Sequence, residues 1–126
     1  MKSYHLYLIL LLASACSSTQ RAEKAFGESI FQHWVHAHEE DQAEYRAFRP
    51  VGYELPPSRG REGFEIRRDG SFIHYPIGAA DMPGEAPAKW RLKDKSTLLV
   101  TPDDPTRPSF ELQILEVDKG LLKITK

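Results

Sequence analysis

Between residues 61 and 126 the chain is cut into short runs whose apolar residues fall on every second position. That period of two directs the segment into strands rather than helices. Residues 61–67 and 71–77 flank Arg68-Asp69-Gly70. Asp-Gly between two alternating runs is a strong hairpin signal, and Gly70 is expected at positive φ, where a Cβ is costly. Downstream, Trp90 and Leu92 alternate before Asp94-Lys95-Ser96, and residues 97–101 follow that turn. Phe110, Leu112 and Ile114 share one face, and Leu122 with Ile124 lies beyond Asp118-Lys119-Gly120. Upstream, residues 31–38 alternate through Trp34, and residues 45–48 form a second short run. Residues 49–60 carry Pro50, Gly52, Pro56, Pro57 and Gly60, and so form a long irregular connection. About eight short strands joined mostly by tight turns read as an antiparallel meander. Such a sheet with open edges would aggregate, which favours closure. The expected fold is all-β, a small up-and-down barrel or strongly curled sheet.

The N-terminus has a different pattern. Lys2 precedes an apolar run over residues 4–12, and Ala13, Ser14 and Ala15 lead into the only cysteine, Cys16. The run is too short to cross about 30 Å of hydrocarbon and fits a secretory signal with its cleavage site. Leu12-Ala13-Ser14-Ala15-Cys16 resembles the lipobox of bacterial lipoprotein precursors. That resemblance implies cleavage before Cys16, acylation of Cys16, and a membrane partner held through the lipid. Two or more acyl chains anchor stably where one does not. Ser17 after the cysteine is compatible with outer-membrane sorting, so the expected location is the bacterial cell envelope. The division is then residues 1–15 as signal peptide, residues 16–29 as acylated cysteine, polar tether and short helix, and residues 30–126 as the β domain. Residues 21–30 carry a loose apolar stripe for that helix, weakened by Gly27.

The order of a tryptophan strand, an Asp-Gly hairpin, a second tryptophan strand and a closing hairpin resembles bacterial lipocalin-like domains. The segments His36-Ala37-His38-Glu39-Glu40-Asp41, Tyr45-Arg46 with Arg49-Pro50, and Pro56-Pro57-Ser58-Arg59-Gly60-Arg61-Glu62-Gly63-Phe64-Glu65 carry the likeness. It implies a lipocalin-like barrel and supplies no catalytic residues. An eight-stranded barrel is just wide enough to be filled by side chains or to hold one small ligand. Trp34, Tyr75 and Trp90 are candidates either for lining such a cavity or for packing it shut.

Other residue groups bear on function. Tyr53, Arg59 and Arg61 mark the long loop as a candidate interaction surface, since irregular segments of that length in compact domains are usually functional or disordered. His36 and His38, two apart on one strand, are candidate metal ligands beside Glu39, Glu40 and Asp41. Two histidines at a strand end beside three acids are more often a solvated rim, and no metal or other cofactor is expected. Six arginines in the middle third suit either anion binding or pairing with neighbouring acids. A formal charge of −1 leaves no broad electrostatic footprint for nucleic acid. No nucleophile elbow, phosphate loop or His-Glu-x-x-His pair is present, so no enzymatic activity is expected. Two readings follow: an anchored module binding a small apolar ligand, or a protein-interaction module, such as an envelope assembly factor or an inhibitor of a secreted enzyme, with a packed barrel.

Overall fold

A computed structural model describes residues 18–77 and 84–126 of the 126-residue chain. Cys16 and the signal segment lie outside the described residues. Among these residues a helix, α1 (residues 18–26), and two 3-10 turns, Glu28–Ile30 and His38–Glu40, accompany eight strands. The strands are β1 (His33–His36), β2 (Tyr45–Pro50), β3 (Gly63–Ile66), β4 (Ser71–Tyr75), β5 (Ala86–Asp94), β6 (Thr97–Pro102), β7 (Phe110–Val117) and β8 (Leu122–Thr125). They close into one antiparallel barrel. None of the helices described is long and apolar enough to cross a membrane.

The meander is unbroken only from β3 to β8. At the seam, β1 sits between β2 and β3, so that β2, not β1, pairs with β8. Because β2 and β3 are both antiparallel to β1, they run in the same direction. The chain must therefore return along the full barrel height between them. Residues 51–62 make that return, which is why the proline- and glycine-rich segment is long.

Strand parity in the closed barrel sets which side chains enter it. Trp34, Phe48, Ile66, Phe72, Leu98 and Leu122 are all buried to 2% exposure or less. Each side chain of that kind contributes roughly 1.5–3 kcal/mol when removed from water. The phenylalanine rings form a chain through the interior: Phe48 to Phe64 at 5.0 Å, Phe64 to Phe72 at 5.5 Å, and Phe72 to Phe110 at 6.0 Å. Gly70 takes φ +90° in the β3–β4 turn, where Asp69 accepts the Ser71 amide.

One end of the barrel, the base, is closed by the N-terminal segment. α1 stops at Gly27, whose φ of +82° and amide bond to the Glu23 carbonyl make it a C-terminal cap, so the helix does not continue to Ile30. Ala22 and Ile30 are fully enclosed and belong to the same core as the barrel residues. The Trp34 indole N–H donates to the Ile30 carbonyl at 3.1 Å. At the β3–β4 turn, the Thr19 hydroxyl donates to the Arg68 carbonyl at 2.7 Å, and the Arg68 guanidinium reaches Glu23 and Glu28. The opposite end, the mouth, has no such plug among the described residues.

β1 is shorter than its alternation predicts. Asp41 bends the chain by accepting the Ala47 amide at 2.8 Å while its carboxylate meets the His36 ring at 2.9 Å. The chain consequently leaves the sheet after His36 and turns through His38–Glu40, with Ala37 buried beneath it.

Candidate functional site at the barrel mouth

Trp34 and Trp90 are core. Trp34 is fully buried, and Trp90 is 6% exposed with its indole N–H donating to the Arg67 carbonyl at 2.7 Å. Tyr75 requires a correction, because it points out of the barrel. The inward positions of β4 are Phe72 and His74, and the Tyr75 ring stacks on the outward His33 at 4.5 Å. Both faces of β4 carry large side chains, so alternation alone left its orientation open.

The loop residues divide. Tyr53 is 47% exposed, with the Arg49 guanidinium 4.5 Å from its ring centre, and Arg59 is exposed. Arg61 is instead a clamp, its side chain only 12% exposed. It donates to the Glu39 carboxylate, the His36 carbonyl and the Pro56 carbonyl, tying the return segment to the end of β1. The Arg61 hydrogen bonds hold the Glu39 carboxyl down at about 2. Arg61 therefore leaves the set of residues offered to a partner.

The histidine pair also requires correction. His36 belongs to β1 and faces inward, whereas His38 lies in the 3-10 turn, so they do not share a strand face. Their rings are 6.0 Å apart, and His36 is held by Asp41. Among the described residues no three metal-ligating side chains gather. The arginines mostly find acids: Arg49 with Glu40, Arg61 with Glu39, Arg67 with Glu65 and Arg46 with Glu62.

That last pair lies in a part of the barrel the sequence reading missed. Arg46 on β2, His74 on β4 and Glu62, the residue before β3, continue the inward parity of Phe48, Phe72 and Phe64 at the mouth end. Arg46 reaches Glu62 at 3.3 Å and lies 5.2 Å from the centre of the Phe48 ring. His74 Nε2 is 3.6 Å from Glu62, an ion-pair distance rather than a hydrogen bond. The three line a recess of about 240 Å³ whose floor includes Phe64, Phe72 and Phe110. A second recess of about 260 Å³, lined among others by Ala88, Pro102 and Pro108, adjoins it at His74 and Phe110. The signal was present in the sequence. Each polar residue stands two places from an inward phenylalanine, Arg46 and Glu62 before theirs and His74 after, which gives its parity.

The facing His74 ring, and then Arg46, hold the Glu62 carboxyl down to about 2 from an ordinary 4.5, against burial, which pushes it up. A carboxyl with a depressed folded-state value stabilises the fold above its unfolded value and loses that contribution as pH falls through the folded one. Glu62→Gln is therefore expected to cost about 1 kcal/mol near neutrality, discounted for partial exposure, with the gap closing between pH 4.5 and 2. Urea midpoints at pH 7 and pH 3 check this; an equal gap at both would remove Glu62 from the ion cluster.

Comparison with protein-family models, curated proteins and solved structures finds no match.

Proposed function

We propose that this chain is a lipid-anchored protein of the bacterial cell envelope, carrying a lipocalin-like barrel that binds a small, mostly apolar ligand at its mouth. The observation that carries the binding reading is the Arg46–Glu62–His74 cluster facing inward over phenylalanine rings. Charged groups brought inside a small barrel cost desolvation and add little packing, so their placement beside an open apolar recess has a ligand-binding logic. Arg46 meets Glu62 through one contact and leaves guanidinium N–H groups, among the described residues, for an acceptor at the polar end of a ligand. The recesses suit a molecule of few rings or a short acyl chain, not a large one. The anchor reading rests on the apolar N-terminal run and the lipobox-like residues ending at Cys16, and Ser17 favours the outer membrane. The role is binding rather than catalysis.

Two measurements test the reading. Cells fed a labelled fatty acid should label the wild type and not Cys16→Ser; an unlabelled wild type would reject the anchor. Titration with 1-anilinonaphthalene-8-sulfonate and medium-chain fatty acids should saturate, with Phe110→Ala and Arg46→Gln each weakening binding roughly tenfold. Absence of saturable binding, or binding indifferent to both changes, would instead favour a protein-interaction module. That second reading draws on the packed lower barrel and on the exposed Val51 and Tyr53 at the start of the return segment.

A further inference from the structure

The base of the barrel carries a second feature. An open groove of about 620 Å³ runs between α1 and the β5–β6 hairpin, lined by Arg21, Lys24, Ala25, Leu92, Asp94 and Lys95. Ala25 and Leu92 give it an apolar strip. Arg21, Lys24 and Lys95 form no ion pair among the described residues, whereas the acids nearby are engaged. Glu23 and Glu28 pair with Arg68, and Asp94 accepts the Ser96 amide within its own turn. Three cations against one acid leave the groove positive.

Its position follows from the chain. α1 is helical from residue 18, its Thr19 is bonded to the Arg68 carbonyl, and its Ala22 is 1% exposed, so the helix is fixed to the base. Only Ser17 lies between Cys16 and residue 18, two backbone steps with a reach of about 7 Å at full extension. Residues 18–20, within the stretch expected to begin with a polar tether, are thus helix. A lipid on Cys16 would bring the base, not the mouth, to the bilayer.

We propose that this groove docks anionic phospholipid headgroups, with the phosphates on Arg21, Lys24 and Lys95 and the adjoining methylene groups on Ala25 and Leu92. The barrel then stands base-down, with its mouth open to the aqueous side. The orientation rests on the anchor proposed above; the lipid preference does not. Each cation within reach of an anionic surface raises partition about fivefold, falling with salt.

The test uses the mature chain, residues 16–126, with Cys16→Ser, which keeps α1 and every strand. It is sedimented with vesicles of phosphatidylcholine alone, or of equal parts phosphatidylcholine and phosphatidylglycerol. Partition to the mixed vesicles should be at least about tenfold stronger and fall with added salt. The Arg21→Glu, Lys24→Glu, Lys95→Glu variant should drop to the phosphatidylcholine level with an unchanged urea midpoint, since all three side chains are exposed. Arg59→Glu, an exposed cation of the return segment outside the groove, should change nothing. Equal partition to both vesicles, an unaffected triple variant, or an equal loss in Arg59→Glu would overturn the proposal. Fatty-acid labelling of the wild type separates the two readings. Label without lipid preference rejects the groove and keeps the anchor; lipid preference without label keeps the groove and rejects the anchor.

Discussion

Trp34→Ala is expected to lower the unfolding free energy by about 3–5 kcal/mol, the range for removing a large buried aromatic. Trp34 has no exposed surface and stands at the middle of β1, paired with Pro50 on β2 and Phe64 on β3. Its removal leaves a cavity at the barrel seam and takes away one of two hydrogen bonds to the Ile30 carbonyl, which also accepts the Gln32 amide. Against a typical total of 5–15 kcal/mol, the loss takes much of the stability. Trp34→Phe should recover most of it by restoring ring volume without the hydrogen bond. Urea unfolding of the three proteins decides, and a midpoint for Trp34→Ala within about 1 kcal/mol of wild type would show that the interior is not packed around this ring.

Gly63→Ala should destabilise the barrel by about 1–3 kcal/mol, the cost of forcing backbone apart in a packed region. A Cβ at Gly63 would lie 2.6 Å from the Trp34 carbonyl oxygen and 3.5 Å from the Val35 Cα. Both are backbone atoms of β1, so no side chain can rotate away. The Val35–Gly63 pair is also part of the β1–β3 ladder that closes the barrel. Gly60→Ala is the matched control, because its Cβ would meet only the Ile77 side chain at ordinary contact distance, 3.5 Å. Equal midpoints for the two variants would show that β3 can move away from β1 without cost.

Residues near one another in the chain made the local structure legible. Asp69-Gly70 marked the hairpin and its positive φ, Asp94-Lys95-Ser96 and Asp118-Lys119-Gly120 marked turns, and alternation placed Phe64, Ile66, Trp90, Leu98 and Leu112 on the inward parity. Where alternation was ambiguous, the orientation was not legible. On β4 both faces are large, and Tyr75 was grouped with the interior although His74 holds that parity.

Periodicity reports which side of a strand a residue occupies, but not how far along the barrel it lies. Arg46, Glu62 and His74 therefore read as surface charges, and only the stagger of β2, β3 and β4 gathers them at one mouth. The break after His36 likewise depends on Asp41 and Ala47, which meet through a turn that strand pairing holds in place. Local chemistry, acting over two to four residues, was enough to specify an all-β chain with its turns and inward faces. The insertion of β1 between β2 and β3, the N-terminal plug and the charged mouth were decided by the folded barrel. Each depends on contacts between residues far apart in sequence, whose cost in chain entropy is offset only when the whole sheet closes.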